Sequence, residues 1–319
     1  MSAAKSEIGS YRKINYALRP AKNIERKMMA EACGRLSAYR RVSKYRYVGF
    51  GSTFYSDFTL FHRSLGLHPM VSIQRRLGDE SRFDFNIPLG CVKNQFGESS
   101  EVIPTLKWDG IPTITWLDYD GQLDVSKLDD IAFVVGASCP FSVLAVTVRS
   151  EGEDFGYQPE ERLPNLKQAL GSRMPQDISV ADMLSSRFHG VIRKIINATI
   201  YDVLGRRNSG LPMGERTQYG QVFYFTYADS TQMVTVGGVF FKQSQQKFFE
   251  RCDFKSLAFC RPGDQPYNIY APSLTYREQR HLDRQLPRAR LRAAGVPSED
   301  LQAYAELYRY FPHFVEAEL

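Results

Sequence analysis

Residues 221–242 read QVFYFTYADSTQMVTVGGVFFK. Two runs rich in β-branched and aromatic residues, QVFYFTY and QMVTVGGVFF, flank the polar turn ADST. That pattern predicts an antiparallel hairpin. Its meaning depends on what precedes it. Working back along the chain, FSVLAVTV is an apolar run fit for a strand buried on both faces. DVSKLDDIAFVVGA reads as a helix with Asp124 as its cap. PTITWLDYD, CVKNQFG, HPMVSIQ and YRYVGFGS read as four more strands, and a helix begins near Ser99-Ser100-Glu101. Between the two earliest strands, Phe54, Phe58, Phe61 and Leu65 share one face of a helix that Gly66 can end. Five strand–helix units in alternation predict a parallel sheet with helices on both faces, closed by the antiparallel hairpin.

The flanks differ from this α/β body. Residues 20–46 read as helix opened by Pro20, with Ile24, Met28, Ala32 and Leu36 inward and Arg19, Lys22 and Arg26 along another face. Residues 151–182, rich in Pro, Gly and charge, read as an insertion with one short helix, and 183–206 as a long helix. The division expected is a basic helical segment at 1–44, an α/β domain at 45–254 and a helical extension at 255–319.

Charge is placed unevenly. Residues 1–46 carry twelve Lys/Arg and three Glu, a balance of +9, whereas the remaining residues sum to −3. A basic leading segment suggests a nucleic acid, another polyanion or an acidic partner protein, contacted through Arg19, Lys22 and Arg26, with Tyr16, Tyr45 and Tyr47 placed to stack a base. A solvated helix face explains the same residues. The five cysteines show no CxxC spacing, which disfavours a zinc cluster or disulfide framework and suits a reducing cytoplasm. The leading MSAAKSEIGSYRK has no apolar core, and no run approaches the ~20 apolar residues of a membrane span. Each of the five histidines is isolated, without metal-ligand or triad spacing.

Two motifs bear chemistry. VGFGS, Val48 to Ser52, puts glycines at the end of the first strand, where backbone can approach a ligand. Phe54 stands where a dinucleotide fingerprint needs its third glycine, and no GK[ST] follows, so NAD and P-loop readings are disfavoured. WLDYDG, Trp116 to Gly121, places two acids one residue apart after the fourth strand.

Alternating units, a glycine loop after the first strand and a terminal hairpin together resemble the class I S-adenosylmethionine-dependent methyltransferases, and among them bacterial proteins described as O-methyltransferases. The resemblance covers roughly residues 45–242. It implies a Rossmann-like, seven-stranded sheet whose last strand is antiparallel, with S-adenosylmethionine as cofactor, and the basic leading segment adds the expectation of an anionic acceptor. Residue by residue, it places Gly49, Gly51 and Ser52 under the cofactor's amino-acid moiety, and Gln74 at the ribose position that usually carries an acid. It places Glu98 and Ser99 beside the adenine, and Asp118 by the methyl group or acceptor. Asp120 would be a general base if burial raised its pKa. Two other readings stay open. DxDG also resembles the haloacid dehalogenase phosphatases, with Asp118 as nucleophile, Asp120 as acid/base and Mg²⁺ on the phosphate, although Gln122 departs from that pattern. The uncharged Gln74 also suits a methyltransferase-like module that binds without catalysing.

Overall fold

A computed structural model describes residues 19–312 except 109 and 289. Tyr16 lies outside the described residues. The chain order is α1 (Pro20–Gly34), β1 (Arg46–Phe50), α2 (Ser56–Leu65), β2 (Met70–Gln74), α3 (Glu80–Phe85), β3 (Val92–Phe96), α4 (Ser99–Thr105), β4 (Thr113–Asp118), α5 (Val125–Ala137), β5 (Val143–Arg149), α6 (Pro159–Leu170), α7 (Ser185–Arg207), β6 (Thr217–Ala228), β7 (Gln232–Lys242), α8 (Gln246–Arg251), β8 (Tyr267–Ile269), α9 (Tyr276–Asp283) and α10 (Ser298–Leu307).

One sheet runs β3-β2-β1-β4-β5-β7-β6-β8. The first five strands are mutually parallel, and β7 is antiparallel to both β5 and β6. This is the Rossmann-like methyltransferase sheet expected, with one addition. The three-residue β8 pairs in parallel with the free edge of β6, in a stretch the sequence suggested was mostly helical. The long helix expected over 20–46 stops at Gly34, and short 3₁₀ turns at Arg35–Ala38 and Val42–Lys44 lead into β1.

Period-2 alternation divides each strand's side chains between two cores. Tyr47, Ile114, Trp116, Ala145 and Phe225 face a layer built from Ile24 and Met28 of α1, Phe58 and Phe61 of α2, and Tyr304, Leu307 and Phe311 from the C-terminal part. Val48, Leu117, Leu144, Val146 and Val236 face Ile131 and Val134 of α5 and Ile195 and Ile196 of α7. The N-terminal helix and C-terminal extension thus belong to the same core as one face of the sheet. Each fully buried Ile, Met or Phe contributes roughly 1.5–3 kcal/mol by leaving water.

Local signals explain the helix ends. Asp124 accepts from the backbone N–H of Lys127 at 3.0 Å, the cap read from sequence. Gly66 ends α2 in the left-handed region at φ 69°. The start of α1 is capped from far away: Asp229, in the β6–β7 turn, accepts from the N–H groups of Ala21 at 3.0 Å and Lys22 at 3.1 Å. No helix among the described residues is long and apolar enough to cross a membrane.

Candidate active site

Strand order reverses between β1 and β4, which splays the loops beyond their carboxyl ends and opens a crevice there. Gly49 pairs with Trp116, so Gly51 and Asp118 each lie two residues further along. Side chains at the end of β4 point to opposite faces. Asp118 turns toward α1, with 27% of its side chain exposed. Tyr119 turns toward α5, where its hydroxyl donates to Asp130 Oδ2 at 2.8 Å and its ring meets Phe50 edge-on at 5.0 Å between centroids.

The glycines of VGFGS are required first by the protein's own side chains. A Cβ on Gly49 would lie 2.6 Å from the Tyr47 hydroxyl. One on Gly51 would lie 2.2 Å from Gln74 Nε2 and 2.4 Å from Ser72 Oγ. Gln74 is buried and donates to Ser72 Oγ at 2.7 Å. The loop ends at Tyr55, a non-glycine residue in the left-handed region at φ 45°, held there by hydroxyl bonds to Asn94 Oδ1 at 2.8 Å and the Phe83 carbonyl at 3.1 Å. Strain of this kind persists only where the surroundings over-determine it, and it concentrates at functional loops. Ser52 and the buried Thr53 complete the loop.

Against Asp118 stands a network that the sequence did not reveal. Lys22 Nζ donates to Asp118 Oδ1 at 2.6 Å and to the Tyr227 hydroxyl at 3.0 Å, and it sits 4.3 Å from the centre of the Trp116 ring. The same ammonium lies 2.9 Å from Glu25 Oε2, an oxygen that receives no directed hydrogen bond. Glu25 Oε1 accepts from the Thr235 hydroxyl, which lies 2.7 Å from that of Thr147, and Thr147 accepts from Trp116 Nε1 at 2.9 Å. Burial raises the Glu25 carboxyl, with Lys22 opposing. Beside this chain, the Tyr47 hydroxyl donates to Asp57. Asp57 is also raised, by burial first, and is attracted to Arg26.

These placements revise several expectations. Lys22 and Arg26 are 4% and 5% exposed and face inward, so they form no solvated basic stripe; Arg19 bonds Ser230 Oγ at 3.1 Å in the hairpin turn. Tyr45 and Tyr47 are fully buried and offer no stacking face to solvent. Asp120 is exposed, so the burial that a general-base role required of it is missing. Ser99 donates to Asp130, joining α4 to α5, and Glu98 accepts from Arg75 Nε at 2.9 Å on the surface. Of the residues expected at the site, Gly49, Gly51, Ser52, Gln74, Lys22 and Asp118 gather at the carboxyl ends of β1, β2 and β4. Glu98, Ser99 and Asp120 border that end in separate contacts. Glu25, Asp57, Tyr227 and Thr235 were missed. The one available signal was the three-residue step from Lys22 to Glu25, which puts both on one helix face. Among the described residues no three of His, Cys, Asp and Glu come together as a metal site.

A family model described as "Putative O-methyltransferase" matches residues 14–319. The chain belongs to this O-methyltransferase family. No curated protein matches it. Solved structures similar to it include the O-methyltransferase TomG of Streptomyces achromogenes, in complex with SAM, at 14% identity over 66% of this chain and 79% of that one, with a TM-score of 0.34. Cofactor-bound Rv0187 from MTB shares 12% identity over 75% and 98% of the two chains, with a TM-score of 0.34. A probable spermidine synthase from Corynebacterium glutamicum shares 10% identity over 79% and 82%, with a TM-score of 0.38. Likeness at this level leaves the activity to the family match and to the site.

Proposed function

We propose that the protein transfers a methyl group from S-adenosylmethionine to an oxygen of an acceptor held over the carboxyl ends of β1 and β4. The observation that carries this reading is Asp118, a partly exposed carboxylate at the point where strand order reverses, braced from the buried side by Lys22 at 2.6 Å. The residues present suit the cofactor. Asp118 supplies negative charge for a cationic ligand. The loop from Gly51 to Tyr55 supplies backbone and hydroxyl groups for an amino-acid moiety. Gln74 supplies an amide, in place of a carboxylate, for a sugar hydroxyl. When bound, S-adenosylmethionine carries a methyl group on a sulfonium, ready for displacement by a nucleophilic oxygen.

Lys22 holds Asp118 in one orientation, and Trp116 and Tyr227 keep water from the inner side of the pair. An anionic acceptor or a nucleic-acid partner draws no support from Lys22 and Arg26, because both are buried. The phosphatase reading loses its basis as well: the DxDG stretch follows the fourth strand, not the first, and Asp118 is already paired with an ammonium group. A non-catalytic module remains the rival, favoured by Gln74 turning its amide to Ser72.

Titration calorimetry with S-adenosylmethionine and S-adenosylhomocysteine tests the proposal. Binding near micromolar strength, lost in Asp118→Ala, is expected. A folded protein that binds neither compound would leave the binding module as the better reading.

A further inference from the structure

The groups around Glu25 do not balance in charge. Lys22 of α1, Asp118 of β4, the Tyr227 hydroxyl of β6 and the Thr235 hydroxyl of β7 face Glu25 itself, and Arg26 of α1, Asp57 of α2 and the Tyr47 hydroxyl of β1 lie next to them. One ammonium, that of Lys22, is shared by two carboxyls, Glu25 and Asp118, while Arg26 faces Asp57 beside them. Glu25 is fully buried, and both Lys22 and Arg26 are at least nine-tenths buried. Asp118 keeps part of its side chain in solvent, whereas fully buried Glu25 has only the shared ammonium, so Glu25 is the carboxyl that keeps a proton until another positive charge arrives. Its Oε2 lies 2.9 Å from the Lys22 ammonium, the one positive charge beside it.

The cluster also has an outlet. Lys22 Nζ touches Glu25 Oε2 on one side and Asp118 Oδ1 on the other, and Asp118 is the member that reaches the crevice. A ligand cation beside Asp118 would therefore be sensed at Glu25 through a single ammonium group.

We propose that the Glu25–Lys22–Asp118 cluster makes the site selective for cationic ligands: binding of the sulfonium form of the cofactor expels one proton from the cluster, and binding of the neutral thioether does not. This rests on the methyltransferase reading. It assigns Glu25 and Lys22 as positioning and specificity residues that act through Asp118. It also gives the site a way to tell unreacted cofactor from spent cofactor by charge. The raised Glu25 carboxyl agrees with a proton held at rest. Because binding releases that proton, affinity for the sulfonium ligand must rise with pH, while affinity for the thioether stays level.

The test is calorimetry on the full chain, in buffers of differing ionisation enthalpy, between about pH 5 and 6.5, where the ligands' own amino groups stay protonated. S-adenosylmethionine is expected to release about one proton per molecule bound and S-adenosylhomocysteine close to none. Glu25→Gln keeps an acceptor for Thr235 but cannot ionise. It should abolish the release and reduce the preference for the sulfonium ligand roughly tenfold, the effect of about one pKa unit. Tyr227→Phe keeps the charges and should keep the release. Equal proton release by the two ligands on the wild-type protein, with both bound, overturns the proposal and leaves the methyltransferase reading standing. Failure of both to bind a folded wild-type protein overturns the two together. The wild-type comparison decides the matter even if Glu25→Gln fails to fold.

Discussion

Folding buries Glu25 fully and Asp57 partly, and in both cases burial is the main cause of a raised pKa. A carboxyl raised in the folded state stabilises the fold fully in acid and loses that contribution as pH climbs through the raised value. Glu25→Gln removes one such group. The stability of Glu25→Gln relative to wild type should therefore increase as pH rises above the ordinary glutamate range, as read by urea denaturation at each pH. A difference independent of pH would mean that Glu25 is ionised throughout. Gly51 makes a different kind of prediction. A methyl group there meets Gln74 and Ser72 at 2.2 and 2.4 Å, so Gly51→Ala should cost about 1–3 kcal/mol and lower the melting temperature as well as weaken cofactor binding. Loss of binding at unchanged stability would show that the space belongs to the ligand. The glycines were legible in the sequence. Their packing against Tyr47 and Gln74 was not, because a glycine-rich turn looks the same whether ligand or protein fills the space beside it.

At the scale of elements, the strands and most helices followed directly from periodicity, and the Asp124 cap and Gly66 stop followed from local chemistry. What failed were features fixed by contacts distant in sequence. The cap of α1 is Asp229, more than two hundred positions away. Asp229→Ala leaves two backbone donors without their acceptor and should cost about 1 kcal/mol, measured by denaturation. The inner face of α1 was misread for the same reason. Lys22 and Arg26 resemble part of a solvated stripe until Asp118 and Asp57 are brought against them. The insertion between β5 and α7 is knit by Arg162, whose guanidinium donates to the carbonyls of Gly156, Tyr157 and Met183, to Ser185 Oγ and to Glu153. Removing one buried charged hub strands several acceptors at once. Arg162→Met should therefore expose the 151–183 segment to limited proteolysis while the sheet stays folded, as judged by circular dichroism. Cleavage no faster than in wild type would show that the hub is dispensable.

For the whole molecule, the sheet order is the central fact. It places the β1 loop and Asp118 on either side of one crevice, and it puts α1 and the C-terminal helices into the core of one face. The short β8 escaped the sequence reading because three residues at a sheet edge carry too little pattern to mark a strand. Since Lys22 and Arg26 lie inside, replacing both with Met should leave the salt dependence of binding to heparin unchanged and lower stability instead; a reduced salt slope would restore the basic-surface reading. The claim on which the rest depends is that the cofactor sits over the carboxyl ends of β1 and β4. A crystal structure of the protein with S-adenosylhomocysteine tests it most directly. The ligand is expected against the Gly51–Tyr55 loop with its sulfur facing Asp118; ligand bound elsewhere on the fold, or with only its amino group at Asp118, would contradict it.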